Sequence, residues 1–468
     1  MKEMTASKQR VPAHIFREYD IRGIADSELT SETVKAIGQA YGTYLSGRGV
    51  SKVTVGCDAR LSSPRVKTDV MEGLARAGVS VLDIGLVATP TFYWSLYHFD
   101  VNGGVMVTGS HNPPEFNGLK LAMGKATIWG DEIQEIYRII VEDRAGTSAL
   151  PGSVKKENIR QAYTEMLVSK IELGPRKLKV VLDSGNGTGG LFAPEFVRRA
   201  GCEVIELFSE PDGRFPNHHP DPTKREYLSD LIDAVRKNDA DVGIGFDGDS
   251  DRIGVVDDKG NMLFGDQLML LFWKEILPKH PGADVIVEVK SSMILPEETE
   301  KLGGKPIWWK SGHSLVKAKM REIDALFSGE VSGHMFFADE FFGFDDAFYA
   351  AGRLLRILSN TDKSLSDLIA EMPSYPSTAE TRFSCPDELK FDIVERVRDA
   401  ATRERETVTV DGVRIIHENG WSLLRASNTQ PVLVARCEGR TQRDLETISS
   451  DMKRRIREAG GPDFEWEY

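Results

Sequence analysis

A strand-like run leads directly into a polar turn in residues 104–120, which read Gly-Val-Met-Val-Thr-Gly-Ser-His-Asn-Pro-Pro-Glu-Phe-Asn-Gly-Leu-Lys. Pro113 and Pro114 cannot continue a central strand because they lack a backbone donor. Gly109 permits dihedral angles that other residues rarely adopt. The pattern therefore predicts a strand that ends in a loop with Ser110 at its tip, where the hydroxyl could meet a reacting group.

The same order of elements occurs twice more along the chain. A strand, a helix and a second strand precede a third strand, which runs into a distinctive loop. The second unit ends with strand 242–246 before loop Asp247–Arg252, and the third ends with strand 325–327 before loop Gly329–His334. This alternation predicts α/β units with largely parallel sheets. Because ligands bind beyond the carboxyl ends of such strands, we expect the three loops to line one cleft.

The pattern changes after about residue 370, where Pro373, Pro376 and Pro386 mark a linker. A helix, several short strands and a final helix follow, which predicts a smaller domain with an exposed turn at Arg425–Pro431. We therefore predict three similar mixed α/β domains plus a smaller C-terminal α+β domain around a central cleft. At roughly 100–200 residues per domain, the 468-residue chain is long enough for this arrangement. The expected domains span residues 1–153, 154–258, 259–370 and 371–468.

Composition limits the partners of the chain. The net charge is −13, so the overall basic character typical of nucleic-acid-binding proteins is absent. No apolar run approaches the roughly 20 residues that span a membrane, and residues 1–12 lack the apolar region of a signal peptide. We expect a cytoplasmic monomer or weak dimer with no nucleic-acid or membrane partner. The widely spaced cysteines are expected to be buried thiols, namely Cys57, Cys202, Cys385 and Cys437.

The second loop places three carboxylates within five residues, at Asp247, Asp249 and Asp251. They repel one another unless a cation lies among them, and hard oxygen ligands suit Mg²⁺. An EF-hand is excluded, because Arg252 and Asp258 replace the required glycine and glutamate. The loop therefore predicts a magnesium site, with a solvated acidic turn as the alternative.

Several roles are open to Ser110. The Gly-x-Ser-x-Gly pattern of a hydrolase is broken by Thr108 and Asn112. His111 is the next residue, and adjacency in the chain is no evidence of a nucleophile–base pair. A serine that carries a phosphoryl group beside Mg²⁺ fits better, because the metal neutralises phosphate charge. A hydroxyl that only caps a turn remains an alternative.

The third loop clusters a carboxylate, a hydroxyl and an imidazole. Glu330 and Ser332 stand two residues apart and would face the same way in an extended segment. Such a pair can bind adjacent sugar hydroxyls, although ordinary turn chemistry gives similar clusters. His334 could carry a proton near neutral pH or only form structural hydrogen bonds.

Two further turns suggest phosphate chemistry. Arg425–Pro431 combines a guanidinium, two hydroxyls and an amide, which suits a phosphate dianion, although asparagine- and serine-rich hairpins are common. The glycine-rich loop Asp183–Gly190 lacks the Lys-Ser/Thr ending of a Walker motif. A tight turn between a strand and a helix is therefore its expected role.

Taken together, these segments resemble the α-D-phosphohexomutases, in particular their bacterial phosphomannomutase/phosphoglucomutase branch. The resemblance extends from Phe16-Arg-Glu-Tyr-Asp-Ile-Arg-Gly23 to Arg425–Pro431. The serine loop followed by Asp-Gly-Asp-Ser-Asp-Arg is the most specific part. The resemblance implies a four-domain, heart-shaped fold, which agrees with the three units and the smaller C-terminal domain.

The resemblance also implies roles for individual residues. Ser110 would be the phosphoserine, and it would hold Mg²⁺ together with Asp247, Asp249 and Asp251. Glu330 and Ser332 would bind sugar hydroxyls. The substrate phosphate would be bound by Arg425, Ser427, Asn428 and Thr429. The cleft would be lined by Tyr19, Arg22, Lys120, Arg252, Lys290 and His313. Lys120, Arg252 and His334 would assist the reaction, with Lys120 and His334 as candidates for proton transfer.

The implied reaction converts a hexose 6-phosphate to the 1-phosphate through a hexose 1,6-bisphosphate that turns round in the cleft. Glucose and mannose differ only at C2, so we expect activity on both. Ser250 stands where many relatives have glycine, and Asn428-Thr429 differs from the Gly-Thr of phosphoglucosamine mutases. A phosphoglucosamine mutase, a phosphatase and a non-catalytic phosphosugar sensor remain alternatives.

Overall fold

The structure, a computed structural model, describes residues 11–427 and 431–467. The chain forms two compact units. The first extends to Asn261 and also includes Phe344–Asn360, and the second comprises Met262–Gly343 and the chain from Thr361 onwards. Within the described ranges, no helix combines the length and the apolar character needed to cross a membrane.

The first unit begins with a mixed sheet and its flanking helices. These elements are β1 (Ile21–Ile24), α1 (Ser31–Ser46), β2 (Lys52–Cys57), α2 (Ser63–Arg76), β3 (Ser80–Leu86), α3 (Thr89–His98), β4 (Gly103–Val107), β5 (Phe116–Met123), β6 (Ala126–Thr127), α4 (Asp131–Val141) and β7 (Val154–Lys156). The strand order is β1-β5-β4-β2-β3-β7, and β6 pairs with β5. The neighbours from β4 to β7 are parallel, whereas β5 is antiparallel to both β4 and β1.

The antiparallel strand β5 was not expected, and it decides where Ser110 lies. The serine loop connects β4 to β5, so the chain returns along the same sheet after the loop. Apolar residues of β2 and β4 pack against helices α1 and α2 in one core, which includes Ile37, Tyr41, Val55, Leu74 and Val105. The loop is therefore carried by two neighbouring strands with a packed core behind them.

A four-stranded sheet follows in the first unit. Its elements are α5 (Arg160–Lys170), β8 (Lys179–Asp183), α6 (Ala193–Ala200), β9 (Glu203–Leu207), α7 (Ser229–Lys237), β10 (Val242–Phe246) and β11 (Ile253–Asp257). The order is β11-β10-β8-β9, with β10, β8 and β9 parallel and β11 antiparallel. The parallel order of the first sheet is thus repeated, and the aspartate loop again lies between the third strand and an antiparallel return strand.

The next segment departs from the expected single sheet. It contains α8 (Gly265–Ile276), β12 (Asp284–Glu288), α9 (Ile294–Lys301), β13 (Lys305–Trp309), α10 (His313–Ile323), β14 (Phe327–Gly329), β15 (Met335–Phe337), α11 (Ala347–Ser359) and α12 (Leu365–Ala370). In the described residues, the parallel pair β12–β13 and the antiparallel pair β14–β15 form separate sheets. The third loop is therefore a hairpin connection between β14 and β15.

The C-terminal part is an antiparallel sheet with two helices. Its elements are β16 (Thr381–Ser384), α13 (Asp387–Thr402), β17 (Thr407–Val408), β18 (Val413–His417), β19 (Gly420–Ala426), β20 (Val432–Gly439) and α14 (Gln442–Glu458). The order is β16-β20-β19-β18-β17, and Val397, Leu433 and Met452 share the core between sheet and helices. The prediction of a smaller α+β domain is confirmed. All four cysteines are buried free thiols.

Candidate active site

Ser110 lies at a strained point of its loop. Its side chain is buried, and its hydroxyl donates to Asp247 Oδ2 at 2.8 Å and lies 3.1 Å from His111 Nδ1. The left-handed dihedral falls on Ser110 itself, with φ 48°, whereas Gly109 has no positive φ. Gly109 is needed for space, because a Cβ there would lie 2.5 Å from the Arg60 guanidinium. The loop thus holds the serine oxygen against the first carboxylate of the aspartate loop.

Three buried carboxylates follow β10. Asp247, Asp249 and Asp251 each offer one oxygen, and these oxygens lie within 4.8 Å of one another. Asp247 Oδ1 accepts the backbone N–H groups of Asp251 and Arg252, both at 3.1 Å. Asp249 Oδ1 is buried and accepts no hydrogen bond from the described part of the chain. A buried carboxylate oxygen without a donor, within an all-oxygen group, fits a divalent cation.

The charges of this group depend on one another. Burial, together with the neighbouring carboxylates of Asp249 and Asp251, raises the pKa of Asp247 well above its ordinary value. Burial also acts to raise the pKa of Asp249, but the Lys120 ammonium and the hydrogen bonds from neighbouring side chains, Thr89 among them, together outweigh it and lower that pKa. Without a further cation, Asp247 would therefore tend to keep a proton.

Lys120 lies on β5, the strand that returns from the serine loop. Its buried Nζ is 3.3 Å from Asp249 Oδ2 and makes a shorter ion pair with Asp251. Burial lowers the pKa of Lys120, but the two carboxylates outweigh this and raise it well above its ordinary value. Lys120 is therefore held as a cation, which suits the donation of a proton better than its acceptance.

Two threonines brace the aspartate loop. Thr89, the first residue of α3, donates its hydroxyl to Asp249 Oδ2 at 2.5 Å and its N–H to the Asp249 carbonyl at 2.9 Å. The Thr188 N–H bonds the Gly248 carbonyl at 3.0 Å. Thr188 belongs to the glycine-rich loop, which turns into a short 3₁₀ helix at Thr188–Leu191, close to the expected strand-to-helix turn.

The remaining predicted residues of the first unit lie around the same loops. Arg22 on β1 donates to Asn112 Oδ1 of the serine loop at 2.8 Å, because β1 pairs with β5. Arg252 directly follows the carboxylates and is half-buried, and Tyr19 is half-buried just before β1. The first unit therefore brings Ser110, the aspartates, Lys120 and Arg22 together.

Glu330 occupies a tight turn between β14 and β15 in the second unit. The Gly333 N–H bonds the Glu330 carbonyl at 2.9 Å, which closes the turn. The segment is therefore a turn and not extended, and Glu330 is buried while Ser332 is half-buried. Glu330 Oε1 accepts the Gly312 N–H at 2.6 Å. Burial and the nearby Glu288 carboxylate raise the pKa of Glu330.

The two predicted histidines of this unit lie together. His313 is the first residue of α10, and His334 directly precedes β15. Their rings stack with centroids 5.4 Å apart and an interplanar angle of 24°. The His334 carbonyl also accepts the Glu330 N–H at 2.9 Å. His313, Glu330 and His334 therefore form one cluster.

Lys290 is held between two carboxylates. Its Nζ lies 3.1 Å from Glu288 Oε1 and 3.3 Å from Glu380 Oε2. Burial lowers the pKa of Lys290, but these carboxylates outweigh it and raise the pKa above its ordinary value. Lys290 is therefore a fixed cation. One of its two carboxylate partners, Glu288, belongs to the third predicted domain, and the other, Glu380, belongs to the C-terminal one.

The C-terminal turn is anchored at both of its described sides. Arg425 Nη2 is 2.8 Å from Asp411 Oδ2, an oxygen that also accepts the Ser311 N–H at 3.3 Å. The Ser427 carbonyl accepts Lys390 Nζ at 2.6 Å. The other two predicted phosphate ligands, Asn428 and Thr429, lie outside the described residues.

Four side chains that were not predicted from the sequence contact the predicted residues and hold them in place. They are Thr89, Glu288, Glu380 and Asp411. Glu288 had a usable signal, because it ends strand β12 at the edge where ligands bind in such sheets. The pairing of Asp411 with Arg425 joins residues that no local pattern connects.

Comparison with known proteins identifies the family. Models of the phosphoglucomutase/phosphomannomutase family match the chain in succession, with α/β/α domains I, II and III over residues 13–146, 161–260 and 264–375 and the C-terminal domain over 380–455. The phosphomannomutase/phosphoglucomutase of Pseudomonas aeruginosa is 42% identical over 454 residues, which cover 97% of each chain. The chain belongs to the phosphoglucomutase/phosphomannomutase family.

Other members of the family agree with this assignment. A phosphoglucomutase of Neisseria gonorrhoeae is 42% identical over 442 residues, which cover 94% of this chain and 96% of that protein. The crystal structure of a phosphoglucomutase/phosphomannomutase family protein from Burkholderia thailandensis matches with a TM-score of 0.91 and 38% identity, over 98% of this chain and all of that one. The four-domain architecture is thereby confirmed, and the chain is a phosphohexomutase, an isomerase.

Proposed function

We propose that this phosphohexomutase interconverts the 6-phosphates and 1-phosphates of glucose and mannose through a phosphoryl group carried by Ser110. The observation that carries the proposal is the 2.8 Å hydrogen bond from the Ser110 hydroxyl to Asp247, within a buried group of three carboxylates and Lys120. A serine oxygen placed beside a cation site and a fixed ammonium is suited to transfer a phosphoryl group.

In the first half of the reaction, phosphorylated Ser110 donates its phosphoryl group to the free sugar hydroxyl. The bond between the serine oxygen and phosphorus breaks as the sugar oxygen bonds phosphorus, and the hydroxyl proton leaves to a base, for which His334 is our candidate. Lys120, which is held as a cation, donates a proton to the serine oxygen as that oxygen leaves phosphorus. Asp247, Asp249, Asp251 and Ser110 would hold Mg²⁺, which would neutralise charge on the phosphoryl group.

The second half reverses these roles after the hexose 1,6-bisphosphate turns round. Ser110 then accepts the phosphoryl group that the sugar carried at the start. Glu330 and Ser332 bind the hydroxyls at C3 and C4, which nearly exchange places when the ring is turned. The phosphate that is not transferred is bound by Arg425, Ser427, Asn428 and Thr429. Further contacts to the phosphosugar come from Arg22, Arg252, Lys290, Tyr19 and His313.

One experiment separates this proposal from its alternatives. The protein is incubated with glucose 1-phosphate and traces of glucose 1,6-bisphosphate, and its intact mass is measured. A mutase gains one phosphoryl group and makes glucose 6-phosphate, a phosphatase releases inorganic phosphate, and a sensor does neither. We expect the first result.

The variant Ser110→Ala sharpens the test. We expect it to lose roughly a thousandfold or more in turnover, because it lacks the nucleophile, and to gain no phosphoryl mass. Ser169→Ala, at an exposed hydroxyl of α5, serves as the control. Isomerisation that continues while residue 110 stays unlabelled would overturn the proposed function.

A further inference from the structure

Arg60, which was not among the residues predicted from the sequence, binds the backbone of the serine loop. It follows β2, and only 1% of its surface is exposed. Its two terminal nitrogens donate to four backbone carbonyls of the loop. The acceptors are Ser110 at 2.7 Å, Asn112, Pro113 at 2.6 Å and Phe116 at 2.9 Å. All four terminal N–H groups of the guanidinium can therefore be used within one loop.

Neighbouring groups fix the guanidinium itself. Its Nε lies 3.3 Å from Asp58 Oδ2, and the same carboxylate oxygen accepts the Gly109 N–H at 3.2 Å. The ring of Phe215 lies 5.3 Å from the guanidinium carbon. The charge of Arg60 is thus paired, and both Arg60 and Asp58 bond the backbone next to Ser110.

The loop needs such support because it contains a strained residue. Ser110 has φ 48°, and a non-glycine residue stays in that region only where its surroundings hold it there. A planar guanidinium presents its donors in a fixed fork, whereas a lysine has one nitrogen with three rotatable N–H groups. A lysine at position 60 would keep the charge but could not bond four carbonyls.

We propose that Arg60 is a positioning residue, which fixes the serine loop so that the Ser110 oxygen is aligned for phosphoryl transfer. Arg60 is buried and offers no surface to a substrate, so its effect passes through the loop backbone. The inference rests on the proposed function, since it concerns the same serine.

The test compares Arg60→Lys with Arg65→Lys. Arg65 also bonds carbonyls, those of Ala25 and Leu29 at 2.7 and 2.9 Å, but none in the serine loop. For Arg60→Lys we expect kcat to fall about 10–100-fold, the scale expected of a misplaced reacting group, with KM changed less than about threefold. Phosphorylation of Ser110 by glucose 1,6-bisphosphate, followed by intact mass, should slow by a similar factor. Arg65→Lys should match the wild type in both measurements.

A second variant covers the case in which Arg60→Lys does not fold. Gly109→Ala keeps Arg60 but places a Cβ 2.5 Å from the guanidinium carbon, and it should slow both steps in the same way. A folded Arg60→Lys or Gly109→Ala that is phosphorylated at the wild-type rate, or a loss shared by Arg65→Lys, overturns the role of Arg60. A wild-type protein without mutase activity would instead overturn the proposed function.

Discussion

Ser250 combines a buried side chain with a backbone conformation that is unfavourable for it. Its φ of 62° lies in the left-handed region, which costs a non-glycine residue about 1–2 kcal/mol. Its hydroxyl lies 3.2 Å from the Thr188 hydroxyl, and either oxygen could be the donor. A serine at this position therefore costs backbone strain but gains one buried hydrogen bond next to the carboxylates, which a glycine could not form.

We predict that Ser250→Ala is less stable than Ser250→Gly by about 1 kcal/mol. Both variants lose the hydrogen bond, but only glycine relieves the strain. Denaturant unfolding of the two variants measures the difference. At the exposed Ser450 of helix α14 the order should reverse, because glycine costs a helix about 1 kcal/mol relative to alanine. An alanine variant at 250 as stable as the glycine variant would contradict the strain argument.

At the scale of single elements, helix α11 begins at an acid that is buried. Asp346 is its N-cap and accepts the Tyr349 N–H at 2.9 Å and the Tyr163 hydroxyl at 2.5 Å. Burial raises the pKa of Asp346 to about 7, although the Tyr163 hydroxyl and the Tyr349 N–H act to lower it. The folded protein thus binds this proton more tightly than the unfolded chain does.

The sign of the pH effect follows from this raised pKa. The protonated Asp346 contributes to the free energy of unfolding, and this contribution is complete below the ordinary pKa of an aspartate. It is lost as the pH rises towards about 7, and the total loss is at most about 4 kcal/mol. Asp346→Asn still caps the helix but cannot lose a proton. Its melting temperature relative to the wild type should therefore rise between pH 5 and pH 8. The control Asp230→Asn, at an exposed acid in the first turn of α7, should show no such trend, and a trend equal in both would refute the assignment.

The elements show which features a sequence can predict. Strand 242–246 and its loop were predictable, because an apolar run followed by alternating aspartates is a local signal. The hairpin at Glu330 was not, because three-residue strands are too short for a clear period. Arg414 on β18 is a similar case. It donates to the carbonyls of Val289 and Ser291 at 2.7 and 2.8 Å, a pairing across more than 100 residues that depends on tertiary packing.

Across the whole molecule, the charge is −13, yet the proposed reaction brings two phosphate groups to one serine. Fixed cations such as Lys120 offset part of this negative charge locally. Asp249 Oδ1 is buried and has no hydrogen-bond donor among the described residues, so it is available to a further cation. The stability of the protein should therefore be linked to divalent metal.

We predict that EDTA lowers both the turnover and the melting temperature, and that added Mg²⁺ restores both. A cation that binds only the folded chain raises the melting temperature by mass action, independently of any reaction. Asp249→Asn should reduce this thermal response to Mg²⁺. The control Asp258→Asn, just beyond β11, should keep it. A melting temperature that is the same with EDTA and with Mg²⁺ would count against a cation among the three aspartates.

The reaction of the whole molecule also limits how well it can distinguish sugars. The hexose must bind in two orientations, and the contacts common to both are those to the C3 and C4 hydroxyls, which Glu330 and Ser332 are proposed to bind. A site that makes no hydrogen bond to the C2 hydroxyl cannot distinguish strongly between the two orientations of that hydroxyl. Strong rejection of one sugar would require that its binding leave a buried polar group of the protein unpaired. We therefore predict kcat/KM values for glucose 1-phosphate and mannose 1-phosphate that differ by less than about a thousandfold. The same measurement with glucosamine 1-phosphate serves as the comparison. A preference for glucose or mannose above this limit would contradict the prediction and would mean that a residue contacts the C2 substituent in both orientations of the sugar.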